Sequence, residues 1–229
     1  MPRPHQVALL FLATLCGAQQ TPPTALDADP SGRNAPGQGR RARITLAEEA
    51  LASGLAGTAG ELFSAALADT TLSPAERNQA GMGLASALIE RSRLAEAKAA
   101  LRFVQDGPAK ALREGLVAAL ENDMESAARH ASAAAPETLP EHEKGWALTL
   151  RWMVAETNGS PSGASAAREA ALRAAVSPEQ RARMEALGGL ALVRSGKVDD
   201  GSLVALRELS ETARGTALSF VYARNLALA

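Results

Sequence analysis

The side chains that could carry chemistry in this chain are few and scattered. Cys16 is its one cysteine, and it lies in an apolar N-terminal run with no base beside it. No serine occupies a Gly-x-Ser-x-Gly sequence, the strained turn on which many hydrolases present a nucleophile. His130 and His142 lack the His-Glu-x-x-His spacing that places two metal ligands on one helix face. These patterns predict no catalytic residue, no cofactor site and no metal site.

Two pairs of adjacent carboxylates have the residue type that acid and base catalysis needs. They are Glu48-Glu49 and Asp199-Asp200. We expect both pairs in the first turns of helices, where the helix dipole favours negative charge, and interpret them as structural. Gly81-x-Gly83 lies inside a helical pattern and does not follow a strand, so it does not have the context of a phosphate-binding loop. The chain is therefore predicted not to be an enzyme.

The composition indicates a folded, all-helical protein. Apolar residues make up 46% and charged residues 21% of the chain, which is typical of a globular protein. Aromatic residues make up only 3%, so the core must consist largely of Ala, Leu and Val. The formal net charge of -1 gives no electrostatic reason to expect binding to nucleic acid or to anionic lipid.

The N-terminal region resembles an export signal followed by a linker. Residues 1–18 combine a short polar start, an apolar run from Val7 to Leu15 and small residues at a cleavage site, so we expect a periplasmic or secreted protein. A lipid anchor on Cys16 is the alternative, and only this would place the protein on a membrane; the bulky Leu15 before Cys16 disfavours it. Residues 19–43 are rich in Pro, Gly, Asp and Arg and are expected to form a flexible linker.

Helix start signals recur along the rest of the chain. Thr45 is followed three residues later by Glu48, which is the spacing of a capping box and predicts that a helix begins at Thr45. Ser-Pro pairs at 73–74 and 177–178 place Pro in the first turn of two further helices, and Pro140 precedes another. Apolar residues between these signals recur at spacings of three and four, which predicts helices and no strands.

A repeated pattern of small residues and turns organises these helices into pairs. The clearest copy has the sequence GMGLASAL at 81–88, a break near Ser92, and LAEA at 94–97 before Pro108. This pattern resembles the tetratricopeptide repeat, a pair of antiparallel helices of about 34 residues that cross at small side chains.

Five copies share a common register. The small residues of the second helices are Ala59, Ala97, Ala127, Ala167 and Gly201. The turns between the helices fall at Gly54, Ser92, Asn122, Gly159 and Gly196, residues that tolerate a left-handed backbone. Small residues of the first helices are Ala47, Ala85, Gly115 and Gly189. The fourth copy departs from the pattern, because its loop at 158–163 is longer and Trp152 stands where the others have a small residue.

The resemblance implies an all-α fold, an α-solenoid of about five antiparallel helix hairpins over 44–214 that winds into a right-handed superhelix. Residues 215–229 would form a terminal helix, either a cap or the first half of a truncated sixth repeat. First helices of such repeats line a concave groove. The residues transferred to that groove are Gln79, Glu90, Leu116, Met153, Glu156, Arg183 and Arg194.

Three interpretations of the whole chain remain open at this point. The first is a scaffold of the bacterial cell envelope, without catalytic activity, that binds a protein or peptide partner in its groove. The second is the superhelical platform of a larger exported enzyme, such as a lytic transglycosylase, whose catalytic part is missing. The third is an ordinary helical bundle without a groove, which the common register of turns and small residues disfavours.

Overall fold

The computed structural model describes residues 36–158, 161–196 and 200–212, and these are helical with no strand among them. A short 3-10 helix covers Pro136–Thr138. The α-helices are α1 (Pro36–Ala52), α2 (Ala56–Leu67), α3 (Pro74–Glu90), α4 (Leu94–Leu101), α5 (Pro108–Leu120), α6 (Met124–Ala133), α7 (Glu141–Asn158), α8 (Pro161–Arg173), α9 (Pro178–Arg194) and α10 (Asp200–Thr212). The predicted all-α class is confirmed for these residues.

The helix start signals are confirmed at three of the four predicted places. At α3 the Ser73 hydroxyl accepts from the Glu76 backbone N–H at 3.2 Å, and the Glu76 carboxylate accepts from the Ser73 N–H at 2.9 Å, which completes a capping box. At α9 the Ser177 hydroxyl accepts from the Gln180 N–H at 3.1 Å. Helix α7 begins at Glu141, directly after Pro140.

The prediction that a helix begins at Thr45 is wrong. Helix α1 already begins at Pro36, so Thr45 lies inside it, and 36–43 is helical although a linker was predicted there. Proline at the first helical position costs no hydrogen bond, and the arginines that follow are good helix formers. An ion pair of 3.6 Å between Arg41 and Glu76 links this extra length to the start of α3.

The turns after α1, α3 and α5 repeat the same geometry. Gly54, Ser92 and Asn122 have φ values of 79°, 57° and 68°, which confirms the predicted left-handed residues. At each turn the next residue's N–H donates to a carbonyl five residues back, with distances of 2.8, 2.9 and 2.9 Å, the Schellman pattern that ends a helix. Gly196 after α9 has φ 68°, whereas Gly159 lies outside the described residues.

The helices pack mainly against their neighbours in the chain. Consecutive helices are in contact from α1 to α9, and the odd-numbered helices α1, α3, α5, α7 and α9 also contact one another in series. The buried apolar side chains form successive clusters along this series. Ala59, Ala97 and Ala127, the predicted small residues of α2, α4 and α6, are all 0% exposed and lie within these clusters.

Glycines let large side chains approach neighbouring helices at two crossings. A Cβ atom on Gly83 of α3 would lie 2.2 Å from the Phe63 ring of α2. The same atom on Gly188 of α9 would lie 2.0 Å from the indole of Trp152 in α7. Trp152, which breaks the small-residue pattern of the fourth copy, is only 4% exposed, because Gly188 opposite it provides the missing volume.

A buried arginine joins three odd-numbered helices. The Arg113 guanidinium of α5 donates to the Ser86 hydroxyl of α3 at 2.9 Å and to Glu143 of α7 at 2.7 Å. Both charged side chains are 11% exposed. Because both charged groups are largely shielded from water, removal of either one would leave the other shielded without its counter-charge.

Several predictions concern residues that lie outside the described part of the chain. These are the signal peptide over 1–18 with Cys16, the linker up to residue 35, and the terminal helix over 215–229. None of the described helices is both long enough and apolar enough to cross a membrane.

Candidate functional site

Two of the residues predicted to line a groove belong to the core. Leu116 and Met153 lie in one buried cluster with residues of α5, α6, α7 and α9, and Met153 is only 1% exposed. Side chains buried to this extent offer no surface to a partner. The repeat pattern places them on a groove, whereas in the structure side chains of neighbouring helices cover them.

Two further predicted groove residues make hydrogen bonds within the chain. The Gln79 amide of α3 donates to the Glu48 carboxylate of α1 at 2.6 Å. Glu156 accepts from the Trp152 indole N–H at 2.7 Å, one turn earlier on α7. Glu48 and Glu49 lie near the C-terminal end of α1 and not in its first turn as predicted. Glu48 therefore stabilises the contact between α1 and α3.

Glu90 and Arg183 form an ion pair between helices that are far apart in sequence. The Arg183 guanidinium of α9 donates to the Glu90 carboxylate at the end of α3 over 2.9 Å. Burial raises the pKa of Glu90, and the neighbouring Arg183 lowers it in part. Arg183 also approaches the turn after α1, since a Cβ on Gly54 would lie 2.6 Å from its Nη2 atom. The pair thus brings α9 to the ends of α1 and α3.

Arg194 makes a second contact of this kind. Its guanidinium donates to the carbonyls of Ala119 and Leu120, at 3.0 and 3.1 Å, at the C-terminal end of α5. A cation at this end of a helix is favoured by the helix dipole and satisfies carbonyls that lack helical partners. Arg183 and Arg194, both predicted to line the groove, therefore bind acceptors of their own chain.

The described residues contain no group of three or more side chains able to hold a metal ion. His130 approaches Glu114 with an N–O distance of 3.5 Å, and the His142 side chain is largely exposed at the start of α7.

A groove that the sequence did not indicate lies over α3, between α2 and α4. We call it the α3 groove; it is an open cavity of about 810 Å³. Its lining includes Arg77, Gly81, Leu84 and Leu88 of α3 and Arg91 directly after it. These residues follow one another at spacings of four and three and so share one face. The groove is therefore a stripe of small and apolar residues with an arginine at each end.

An exposed aromatic side chain lies at the rim of the α3 groove. Helix α4 covers only Leu94–Leu101, and Phe103 follows it at the rim of the groove. Phe103 is 77% exposed, more than the other exposed large apolar side chains of the described residues. Gly60 on α2 adds no side chain to the opposite wall. Exposed aromatic surface beside a cavity of this size is typical of a binding site.

The charges of the α3 groove are mainly positive. Its lining includes the cations Arg77, Arg91 and Arg93 and the carboxylates Glu61 and Glu96. Arg93 donates to Glu96 at 2.6 Å, so this arginine is already paired. Among the described residues, no carboxylate lies within ion-pair distance of Arg77 or Arg91. These two guanidinium groups are therefore available to an anionic partner.

The α3 groove was not predicted from the sequence, because the repeat pattern places a groove on the first helices of the pairs, whereas this groove is also lined by α2 and α4. One signal was present: Phe103 is one of only four phenylalanines in the chain and lies just beyond a helix of two turns.

Comparison of the chain with family models, with curated proteins and with solved structures finds no match.

Proposed function

We propose that this protein is a helical-repeat scaffold of the tetratricopeptide type that binds a protein partner and carries out no catalysis. The observation that supports the proposal is the repeated turn after α1, α3 and α5. Each turn has a left-handed residue at the same position and the same hydrogen bond after it. A bundle with one central core does not need identical turns in a common register, whereas stacked repeats do.

The packing supports an α-solenoid of helix pairs. The core is divided into clusters that follow the chain, and each odd-numbered helix from α1 to α9 contacts the next one. In such a stack each pair is stabilised mainly by its nearest neighbours. The α3 groove is the surface where we place the partner, because it combines an open cavity, an exposed aromatic ring and two arginines that have no carboxylate partner among the described residues.

A truncation tests the solenoid. We expect a chain that ends at Thr138, after the third helix pair, to keep the helical circular dichroism of α1 to α6 and to unfold cooperatively, although at lower denaturant concentration. The physical reason is that α1 to α6 keep most of their nearest-neighbour contacts. Complete loss of helical structure in this truncated chain would favour a bundle with one shared core.

Photo-crosslinking tests the binding role. A photoreactive amino acid in place of Ser64, an exposed serine that lines the α3 groove, is expected to crosslink a specific protein when the chain with its N-terminal segment is expressed in bacteria. Ser165 is the matched control, because it is an exposed serine on α8, away from the groove. Equal crosslinking from both positions, or from neither, would contradict a partner site in the α3 groove. The N-terminal sequence of the recovered chain tests export in the same experiment.

A further inference from the structure

The spacing of the two available arginines sets a length for the occupant of the α3 groove. Arg77 of α3 and Arg91 directly after it share one face, fourteen residues apart. At a rise of 1.5 Å per residue, this separation is about 21 Å along the helix. Any occupant that pairs with both arginines must therefore place two negative charges about that far apart.

The volume of the groove favours an extended occupant over a helix. A helix of this length with a diameter of about 10 Å would fill about 1,600 Å³, so about half of it would lie outside the open cavity of about 810 Å³. An extended chain advances about 3.3 Å per residue and covers 21 Å in about six residues. The cavity therefore suits an extended segment better than a helix.

The middle of the groove sets the polarity of the occupant between its charges. Gly81 and Leu84 form the floor there, Gly60 adds no side chain to one wall, and the exposed Phe103 ring stands at the rim of the other. An apolar side chain placed over Leu84 and Phe103 would remove both surfaces from water, which is favourable in proportion to the area covered.

We propose that the α3 groove binds an extended segment of a partner protein that carries two carboxylates about six residues apart with an apolar side chain between them. The carboxylates pair with Arg77 and Arg91 through forked hydrogen bonds, and the apolar side chain covers Leu84 and Phe103. This inference rests on the proposed scaffold function and adds to it the chemical nature of the partner.

A series of synthetic peptides tests which separation of two carboxylates this site binds most tightly. Each peptide is acetylated, labelled with fluorescein and built from Ser and Ala, with two Asp residues whose separation is about two, four, six or eight positions, around the value set by the extended-chain rise. One Leu is placed an even number of positions from each Asp, so that all three side chains share one face of the extended chain. Fluorescence anisotropy with the purified chain measures the dissociation constants. We expect the tightest binding at a separation of six and about tenfold weaker binding at two, because only one charge-assisted contact can then form. Peptides with Lys in place of Asp should not bind.

Three single substitutions distinguish specific pairing of the peptide with Arg77 and Arg91 from a general effect of the protein's positive charge on affinity. Arg77→Ala and Arg91→Ala should each weaken the best peptide about tenfold and abolish the dependence on Asp separation. Arg102→Ala is the matched control, because Arg102 is an exposed arginine that follows α4 and does not line the groove. Its binding constants should equal those of the unchanged chain. Circular dichroism of the three variants checks that the helices are retained.

Distinct results would overturn the inference. Affinity that does not depend on the Asp separation, or that falls equally in Arg102→Ala, would show nonspecific attraction. Tighter binding of a helical peptide with carboxylates fourteen positions apart would show that the occupant is a helix. If Ser64 crosslinks a specific protein while none of the peptides binds, the scaffold function stands and this partner chemistry fails. If both experiments fail, the groove is not the binding site.

Discussion

Gly188 provides a direct test of how the fourth and fifth helix pairs are joined. An alanine Cβ at this position would lie 2.0, 2.2 and 2.3 Å from three atoms of the Trp152 indole. Carbon atoms in favourable contact are about 3.5 to 4.0 Å apart, so the ring would have to move by about 1.5 Å. The ring is buried, rigid and held by its hydrogen bond to Glu156, which limits this movement.

The expected loss of stability follows from two opposing effects. Overpacking a core costs about 1 to 3 kcal/mol, and the size of this overlap places the cost near the upper end. Replacing a helical glycine by alanine contributes about 1 kcal/mol in the opposite direction. We therefore expect Gly188→Ala to lower the free energy of unfolding by about 2 kcal/mol.

Gly60→Ala is the matched control for this substitution. Gly60 is also a buried helical glycine, but a Cβ there would lie 3.8 Å from the Ala87 Cβ, an ordinary contact. This variant should gain about 1 kcal/mol from helix propensity alone. The two variants should therefore differ by about 3 kcal/mol, or about 6 to 12 °C in Tm for a domain of this size. Urea denaturation followed by circular dichroism measures the difference.

A second substitution identifies the indole as the cause. In a Trp152→Leu background the ring atoms that meet the new Cβ are absent, so Gly188→Ala should no longer destabilise the protein. The thermodynamic cycle should give a coupling energy of about 2 kcal/mol or more between the two sites, as expected for residues in contact. Equal stabilisation by Gly188→Ala and Gly60→Ala, or a coupling near zero, would refute the packing of Trp152 against Gly188.

Three other predictions concern single side chains. Arg183→Ala should destabilise the chain in urea denaturation, because it leaves the partly buried Glu90 carboxylate without its counter-charge, whereas Glu90→Gln should be close to neutral at neutral pH. Burial raises the pKa of Glu90 above its unfolded-state value, so the folded chain binds this proton more tightly than the unfolded chain. The contribution of Glu90 to stability should therefore increase as the pH falls from neutrality through its folded-state pKa. Melting curves measured over a pH series should show this increase, and Glu90→Gln should remove it. Ser73→Ala should cost about 1 kcal/mol of stability and lower the Tm, since the hydroxyl that accepts from the Glu76 N–H is lost, whereas the backbone N–H of residue 73 can still donate to the Glu76 carboxylate; an unchanged Tm would contradict the cap.

Local signals in the sequence predicted much of the fold. Ser73 and Ser177 begin helices because their hydroxyls satisfy N–H groups only a few residues away. Gly54, Ser92 and Asn122 end helices because their backbones adopt left-handed conformations. The Thr45 prediction failed although its spacing was correct, because a capping box forms only if the preceding residues are not helical, and here the helix continues back to Pro36.

The candidate site was much less predictable. The resemblance to a known repeat placed Leu116 and Met153 on a groove, but their burial depends on how closely neighbouring helices pack. Arg183 and Arg194 were predicted to line the groove, yet they bind partners that lie far away in sequence, at Glu90 and at the end of α5. No pattern along the chain indicates which cation will find an acceptor of its own chain.

The sequence by itself determined most of the helices and the left-handed turns after α1, α3 and α5, since these depend on hydrogen bonds and backbone preferences within a few residues. Only the tertiary structure decided which surfaces remain open. Trp152 is accommodated because Gly188 lies opposite it, and the α3 groove is formed by side chains from three helices, α2, α3 and α4. Such features depend on the volumes and distances between separate helices, and these are fixed only when the whole chain has packed.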